Sequence, residues 1–368
     1  MKRKRVAVTG IGVLSCLGIG KEQFWQGFLE GRKGFKTPSL FDASDLETKI
    51  AGEITDFDPK DILGKKGLVD LDRATTLLLS AIQFSLKDSG IDIADINELT
   101  TGISVGTTLA SLSSLSEFDR KSIEEGPHFV NPSRFPNTVI NSPASRAAIR
   151  FKVKGPNVTI STGFCAGLDA LEYSLDCINF NRADRMISAA VEEMSLPAFF
   201  GFNKLGCHSG GISFSEGASS LVLEELSAGL AREVNIYAEV LGTGSSFYPF
   251  RLHKFHPEAK SLIEAMREAL EDACLAPEEI GCLFADADSR RDADLAQTKA
   301  IKEVFGSHAN ELPVNSVTSI AGDSFSASGG LAMVAALGAL ARKEAGKIMI
   351  SSSGPNGSST VAIIASYN

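Results

Sequence analysis

Short runs of β-branched and aliphatic residues alternate with longer amphipathic runs along the whole chain. In the first half they predict strands over residues 5–13, 101–108, 157–162 and 185–193. Apolar residues recur at helical spacing over residues 21–29, 74–90 and 168–179, which predicts helices there. Strands that are separated by helices are typical of an α/β fold, so we expect a sheet of mostly parallel, buried strands.

The second half repeats this pattern. Strands are predicted over residues 218–226, 235–244, 281–287, 312–317 and 347–353, and helices over 256–275, 294–306 and 327–346. Residues 157–192 and 313–353 both predict a strand, a Gly/Ser-rich turn, a helix of small residues and a strand. We therefore expect two pseudo-repeated halves, residues 1–228 and 229–368, in which two stacked sheets have helices between and outside them.

Composition and charge exclude several functions. The net charge is -9, and the only basic run, Lys2 to Arg5, is too short to indicate nucleic-acid binding. Apolar residues follow this run as in a signal peptide, but Thr9, Gly10 and Gly12 interrupt them, and no stretch is long enough for a membrane span. Six cysteines without a CxxC pair predict reduced thiols, no metal site and a cytoplasmic protein.

Several motifs together resemble the β-ketoacyl synthases of the thiolase fold, which extend an acyl chain by decarboxylative condensation. They occur in the family's order over nearly the whole chain. The matching stretches are RVAVTGIGVLSCLG, GPNVTISTGFCAGLDAL, ADRMISAAVEEM, SEGASSLVLEE, IGCLFADADSRRDAD with AIKEVFG, and NGSSTVAII. The resemblance implies a layered αβαβα architecture and a site with a cysteine nucleophile and two histidines.

The register of the nucleophile motif points away from catalysis. The family has Ser-Thr-x-Cys-x-x-Gly, and Ser161 and Gly167 match this motif without a gap, so Phe164 occupies the nucleophile position. Cys165 is displaced by one residue, a rotation of about 100° on a helix. We expect Cys165 to be a small buried side chain rather than a nucleophile.

The other catalytic positions have changed as well. The two histidines of the family correspond to Asp286 and Asp323, and its lysine corresponds to Thr318. Carboxylates there would oppose the anionic condensation chemistry unless they are neutral through burial or paired with Arg290 or Arg291. None of the chain's own histidines falls in a matching motif; they are His128, His208, His253, His256 and His308.

Two loops also differ from the family. The glycine-rich gate corresponds to residues 351–356, where Ser352 replaces the gating phenylalanine and Pro355 stiffens the backbone. Only residues 207–211, CHSGG, join the helix that ends near Leu205 to the next strand. We therefore expect neither a mobile gate nor the usual frame of an acyl-carrier entrance.

One subgroup of the family has this character: the chain-length factors of iterative type II polyketide systems. GLDAL at residues 167–171 is similar to the segment that follows the replaced nucleophile in these factors, although glutamine is commoner there than Phe164. The resemblance implies a heterodimer with a catalytic ketosynthase subunit, contact with an acyl carrier protein mainly through that partner, and no cofactor beyond the carrier's phosphopantetheine. Residues 157–162 would form an open sheet edge facing the partner.

Such a factor limits the length of the partner's product by closing a tunnel at the subunit interface. The segment 106–122 matches the tunnel-lining part of the subgroup, and its Leu112, Leu115 and Phe118 stand at helical spacing. Phe200 and Phe202 are second candidates for the tunnel. An apolar stripe at this spacing is also typical of a helix that packs in a protein core, so this alternative stays open.

Three functions remain after these observations. The first is a non-catalytic, length-setting subunit, and the second is a self-sufficient β-ketoacyl synthase or acyltransferase that uses Cys165. The third is a scaffold that only stabilises its partner. The sequence leaves open the product class, the starter unit and the number of extensions.

Overall fold

The computed structural model describes residues 3–204, 213–251, 254–286 and 290–367. The strands within these residues are β1 Val6–Ser15, β2 Gly18–Ile19, β3 Thr101–Gly106, β4 Asn157–Ile160, β5 Arg185–Glu192, β6 Gly217–Glu225, β7 Ala238–Phe247, β8 Cys282–Phe284, β9 Val314–Asn315, β10 Lys347–Ser353 and β11 Ser358–Ala365. The helices are α1 Lys21–Leu29, α2 Pro59–Leu63, α3 Arg73–Asp88, α4 Leu112–Glu124, α5 Ser142–Phe151, α6 Ala166–Asn179, α7 Leu196–Lys204, α8 Leu226–Ala231, α9 Lys260–Asp272, α10 Arg291–Phe305, α11 Thr318–Ala321 and α12 Ser326–Ala341.

Most elements lie where hydrophobic periodicity predicts them. The helix α1 has the predicted bounds, and β1, α3 and α12 begin or end within a few residues of theirs. The last strand, β11, is absent from the prediction, as are α5 and α7. All but the first residue of β11 are buried, so its sequence lacks the alternation of polar and apolar positions that marks a half-exposed strand.

The sheet is mixed rather than mostly parallel, which corrects the sequence-based expectation. Among the described strands, β3 pairs in parallel with β4 and β5, and β8 pairs in parallel with β9 and β10. The other pairings are antiparallel, including β5 with β6 and β10 with β11. Hydrophobic periodicity reports which faces of a strand are buried and carries no information on strand direction.

The two halves have the same strand order. The order is β4-β3-β5-β6-β1 in the first half and β9-β8-β10-β11-β7 in the second, which confirms the pseudo-repeat. The two predicted sheets are continuous, because β1 also pairs with β7 at three positions, Val6 with Val240, Ala7 with Glu239 and Val8 with Ala238. The predicted boundary after residue 228 falls inside α8 and stays a prediction.

The layers follow from alternating side chains on the strands. One core lies between the two halves of the sheet and contains residues of α6 and α12 with Ile348 and Ile350 of β10. The intervening Met349 belongs to another core, which packs against α9 and α10. A third core joins α3 and α5 to the outer face of the first half. These cores separate five layers, αβαβα, as expected for a thiolase-like fold.

The central helices α6 and α12 contact each other closely because small residues line both of them. A Cβ atom at Gly167 of α6 would lie 2.3 Å from the backbone oxygen of Ser326 of α12. A Cβ atom at Gly330 would lie 2.1 Å from Oγ of Ser219 on β6. Nearly every residue of α12 is buried. The beginning of α6 is therefore fixed against the beginning of α12, and the candidate site lies there.

The strand β4 lies at one end of the sheet, as the sequence predicts, and pairs with β3 alone among the described strands. Its residues are exposed or half-buried. Among the described residues, no helix combines the length and apolar character that crossing a bilayer requires.

Candidate functional site

A tight turn between β4 and α6 brings Phe164 to the beginning of α6. Gly163 has a φ angle of 94°, in the left-handed region that glycine adopts without strain. The hydroxyl of Thr108 donates to the carbonyl of Gly163 at 3.1 Å, and Nδ2 of Asn356 donates to the carbonyl of Thr162 at 3.1 Å. These contacts fix the backbone on both sides of the turn, so the direction of the Phe164 side chain is set.

The ring of Phe164 packs in a group of phenylalanines that we call the aromatic cluster. Its ring centroid lies 5.2 Å from that of Phe325 in an edge-to-face arrangement. Phe325 in turn lies 4.4 Å from Phe202 and 4.9 Å from Phe214. The members of the aromatic cluster are Phe164, Phe199, Phe202, Phe214 and Phe325. The position before α6 is thus filled by an aromatic ring that has close neighbours.

Cys165, the next residue, has different surroundings. Its side chain is fully buried, and Sγ lies 3.4 Å from the backbone oxygen of Ser352 on β10. Burial, and after it the charge of Asp169, raises the pKa of the Cys165 thiol to about 12. The group is therefore a neutral thiol at physiological pH, without the depressed pKa that marks reactive cysteines. The described cysteines, which exclude Cys207, form no disulfide.

Asp323 is buried and has a cation beside it. Oδ1 accepts a hydrogen bond from the backbone N–H of Phe325 at 2.8 Å, and Oδ2 lies 4.0 Å from Nη2 of Arg290. The guanidinium of Arg290 also lies 5.9 Å from the ring centroid of Phe164 and 5.1 Å from that of Phe255. Of the two arginines that the sequence offers as partners, Arg290 is the one near Asp323.

Asp286 and Thr318 lie on neighbouring segments. Oδ2 of Asp286 accepts from the hydroxyl of Ser352 and from the backbone N–H of Ser353, both at 3.4 Å. Thr318 begins α11, and its hydroxyl shares a hydrogen bond of 2.8 Å with that of Ser316. The structure thus brings Asp286 to the carbonyl side of Phe164, because the Ser352 hydroxyl also donates to the backbone oxygen of Phe164 at 3.2 Å.

The described histidines lie in other surroundings. His128 is exposed in a short helical turn, Pro127–Phe129. His256 packs against the rings of Tyr248 and Phe250, and His308 has its Nε2 2.9 Å from the carbonyl of Ile280. His208 and His253 lie outside the described residues.

The segment that corresponds to the family's gate packs on Phe164. A Cβ atom at Gly354 would lie 3.2 Å from Cδ2 of Phe164 and 2.4 Å from Oδ1 of Asn356. Pro355 is buried, and the backbone N–H of Gly354 donates to Ser358 at 2.9 Å, which closes the turn onto β11. The short loop at residues 207–211 lies outside the described residues.

Five cavities formed by described residues lie away from this position. None of these five has Phe164, Cys165, Asp286 or Asp323 in its lining. No group of three or more His, Cys, Asp or Glu side chains in the described parts of the chain is placed to hold a metal ion.

The helix α4 carries the predicted tunnel residues on its exposed surface. None of its residues is fully buried, and of its apolar stripe Leu112 packs against the core that contains Phe199 and Phe325. Leu112 and Leu115 line a groove of about 450 Å³ together with Ile123 and with Pro197 of α7. Leu115 is 36% exposed and Ile123 is 84% exposed.

The other predicted tunnel residues are not in this groove. Phe118 packs against Phe135 at 5.9 Å and lines a separate cavity of about 130 Å³. Phe200 of α7 is exposed, with Nζ of Lys204 5.4 Å from its ring centroid. Phe202 belongs to the aromatic cluster, so it lies on the side of Phe164. The structure therefore brings Leu112 and Leu115 together and places the three phenylalanines elsewhere.

Two adjacent glutamates, which the sequence analysis missed, connect the aromatic cluster to α4. Oε2 of Glu192 accepts from the backbone N–H of Leu109 at 3.2 Å, and its Oε1 accepts from the hydroxyl of Ser326 at 2.6 Å. Glu193 accepts from the backbone N–H of Ser113 at 2.8 Å. Burial raises the pKa of Glu192 to about 7 and that of Glu193 to about 8. Their signal in the sequence was two charged residues at the end of a predicted buried strand.

The comparison with known proteins agrees with this architecture. Residues 3–228 match the family described as "Beta-ketoacyl synthase, N-terminal domain", and residues 237–348 match "Beta-ketoacyl synthase, C-terminal domain". The chain belongs to the β-ketoacyl synthase family. Over 352 residues it is 31% identical to the 3-oxoacyl-[acyl-carrier-protein] synthase 2 of Coxiella burnetii, which covers 91% of this chain and 85% of that protein.

Polyketide proteins of this family are similar to the chain as well. The tetracenomycin polyketide synthase ketoacyl synthase alpha subunit of Streptomyces glaucescens is 32% identical over 357 residues, covering 90% of this chain and 84% of that protein. A solved structure described as the ishigamide ketosynthase/chain length factor covers the whole of both chains with a TM-score of 0.92 and 25% identity. Condensing enzymes of fatty-acid and of polyketide type are thus both among the relatives.

Proposed function

We propose that this chain is a non-catalytic chain-length factor, which pairs with a catalytic ketosynthase subunit and limits the length of an iteratively built polyketide. The observation that carries the proposal is the position of Phe164. An aromatic ring, packed against Phe325, stands where the family's motif has its nucleophile. The neighbouring Cys165 is a buried thiol with a raised pKa.

The charges around Phe164 support the same conclusion. Decarboxylative condensation needs donors that stabilise a developing enolate oxygen. Here carboxyl groups stand at both positions where the family has histidines, and Asp323 has Arg290 as its cation. An acidic pair beside an anionic intermediate raises the barrier instead of lowering it.

The named relatives include catalytic subunits, and this does not contradict the proposal. Identity of about 30% over the whole chain reflects the shared fold, which both subunit types require. Function depends on the site, where this chain departs from the motif. Support for the subunit type comes from the similarity to the ishigamide ketosynthase/chain length factor.

Exposed surfaces support a heterodimer. The strand β4 offers unpaired backbone groups at the sheet edge, which invites another strand. Apolar side chains are exposed on α4, on α7 and on the helical turns before α5; they include Leu115, Ile123, Phe129, Phe135, Leu196 and Phe200. Exposed apolar area of this kind is typical of a surface that a partner covers. Contact with an acyl carrier protein is proposed mainly through that partner, and a cytoplasmic location stays a prediction.

The groove beside α4 is the proposed end of the partner's acyl tunnel. Leu112 and Leu115 close it from α4, and Pro197 closes it from α7. Phe118, Phe200 and Phe202 stay candidates on the strength of the resemblance, with Phe118 lining the neighbouring small cavity. A bulky side chain that blocks the groove stops elongation when the growing chain reaches it.

Co-expression with a catalytic ketosynthase subunit and its acyl carrier protein tests the proposal. Leu115→Gly in the purified pair is expected to lengthen the product by at least one two-carbon unit, measured by mass spectrometry. Ser114→Gly is the matched control, since it places a glycine in the same turn of α4 without removing an apolar side chain. An unchanged product from an intact pair would favour the scaffold function instead.

The condensing-enzyme alternative predicts a different result. A self-sufficient synthase would be active as a homodimer and would trap a thiol-directed inhibitor or an acyl-carrier crosslinker on Cys165. We expect neither, because the Cys165 side chain is fully buried.

A further inference from the structure

The helix α4 lacks the usual means of fixing its N-terminus. The side chain of Ser111, its N-cap residue, makes no capping hydrogen bond. None of the residues of α4 is fully buried, so the packing of Leu112 and Phe118 holds its apolar face only in part. The first backbone N–H groups of a helix have no partner within the helix and need an acceptor from elsewhere.

Glu193 supplies that acceptor from the next layer. Its Oε1 accepts from the N–H of Ser113 in the first turn of α4, at 2.8 Å. Its Oε2 accepts from the N–H of Ala74 in the first turn of α3, at 3.1 Å. One carboxyl group therefore caps two helices, and it joins the exposed α4 to α3, which is almost entirely buried.

The surroundings of Glu193 are rich in negative groups. Glu193 is only 2% exposed, and the charge of Asp72, the N-cap of α3, is a further cause that raises its pKa. Arg73 is the only cation among the described charged groups that surround Glu193. It makes two hydrogen bonds to Glu216. The titratable and charged groups that face this region are Glu53, Asp72, Arg73, Glu192, Glu193 and Glu216.

Three unpartnered oxygens belong to residues close in sequence to the two backbone donors of Glu193. Within the described residues, Oδ2 of Asp72, Oγ1 of Thr75 and Oγ of Ser111 are buried without a hydrogen-bond partner. Asp72, Thr75 and Ser111 lie within two positions of Ala74 and Ser113, whose backbone N–H groups donate hydrogen bonds to Glu193. A protonated Glu193 can donate toward such an oxygen, whereas an ionised Glu193 would add a second buried charge beside Asp72.

We propose that Glu193 is the positioning residue of α4: its carboxyl group fixes the first turn of α4 on α3, and it thereby sets where Leu112 and Leu115 stop the growing chain. The inference rests on the proposed function for its effect on product length. The fixing of α4 itself is independent of that function and can be measured separately.

The sign of the pH dependence follows from the pKa. Burial, with Asp72 as a further cause, raises the pKa of Glu193 from 4.5 in the unfolded chain to about 8 in the folded protein. A raised folded pKa means that the stabilisation is complete below the unfolded pKa and is lost as the pH rises toward and past about 8. The attachment of α4 is therefore expected to weaken between neutral and mildly alkaline pH.

Hydrogen exchange of α4 in the purified pair tests this attachment. Glu193→Ala is expected to reduce the protection of amides in residues 113–118 about tenfold, the effect of losing one buried hydrogen bond. Glu193→Gln keeps one acceptor oxygen and should lose less protection. Between pH 6.5 and 9, protection corrected for intrinsic exchange should fall in the wild type and stay constant in Glu193→Gln. Glu117→Gln, on the exposed face of α4, is the control and should behave as the wild type.

The outcomes separate the two proposals. Equal protection of α4 in Glu193→Ala and the wild type, or a wild-type pH profile in Glu193→Gln, would overturn the attachment. If Leu115→Gly changes the product length and Glu193→Ala leaves the length distribution as narrow as before, the positioning role is wrong and the proposed function stands. If neither variant changes the product, the proposed function fails. Glu193→Gln keeps the test usable if Glu193→Ala does not fold.

Discussion

Alkylation of Cys165 in the native protein is expected to be slower than that of Cys274 by more than three orders of magnitude. Cys274 is exposed, and it provides a comparison within the same chain. The pKa of Cys165 is raised to about 12, mainly because the thiolate would lose its hydration in the buried site. Only the thiolate reacts with an alkylating reagent, so the raised pKa lowers the reactive fraction of Cys165.

The magnitude follows from the fraction of thiolate. At pH 7.5 a thiol with a pKa of about 12 is ionised to about 0.003%, and an ordinary cysteine with a pKa of about 8.5 to about 9%. The ratio is about 3,000. A thiolate of higher pKa is intrinsically more nucleophilic, which reduces this factor, and the absence of exposed area at Cys165 adds a steric barrier that increases it again.

Time-resolved labelling with iodoacetamide, followed by peptide mass spectrometry, measures both rates in one sample. In urea the two cysteines should react at similar rates, because the difference depends on the fold. Labelling of native Cys165 within tenfold of Cys274 would refute the reasoning and would favour the condensing-enzyme function. Cys165→Ala in the purified pair should leave the product and its yield unchanged.

Three further changes have expected outcomes. Arg73→Met removes the partner of Glu216, which is fully buried, and should lower the free energy of unfolding by about 3–5 kcal/mol in a denaturant titration. A loss below about 1 kcal/mol would contradict this expectation. Phe164→Cys should give no condensation in a radiolabelled malonyl assay, because carboxyl groups remain where histidines are needed, and turnover would contradict this. Val158→Lys at the β4 edge should abolish co-purification with the catalytic subunit. Leu295→Lys, at an exposed apolar site on α10 in the second half, should not.

Local patterns predict much of this fold because its strands and central helices are strongly apolar. The helix α12 could be located from its small residues, which indicate a helix packed closely on its neighbours. The position of Phe164 within the nucleophile motif could also be predicted from the sequence, because the residues on both sides of it match the motif without a gap. In the structure Phe164 and Cys165 do have different surroundings, as the rotation between adjacent helical positions implies.

Strand direction and sheet continuity could not be predicted in this way. The antiparallel pairing of β10 with β11 depends on a turn of only four residues, 354–357, whose polar composition resembles any loop. The pairing of β1 with β7 joins residues 230 or more positions apart, such as Val8 and Ala238. Hydrophobic periodicity within a segment gives no information on pairing partners so far away in the chain.

The tunnel candidates show a similar limit. Leu112, Leu115 and Phe118 share helical spacing, yet the neighbours of α4 divide them between a groove and a separate cavity. The capping role of Glu193 was not predictable from local rules, because its two backbone donors lie 80 and 119 residues away in the chain. A local capping motif would have required the acceptor at the helix N-terminus itself.

Phe164, which occupies the position of the family's nucleophile, and the exposed helix α4 belong to one packing arrangement. Phe325, against which Phe164 packs, immediately precedes Ser326, and the hydroxyl of Ser326 donates to Glu192 at 2.6 Å. Glu192 also holds the segment that leads into α4, and Leu112 itself packs against the aromatic cluster. An aromatic ring at position 164 therefore supports the base of α4 in the space that a reaction centre would need to leave open. Because a subunit that sets chain length must be rigid and a condensing site must admit substrate, this packing supports the proposed length-setting role over a condensing function.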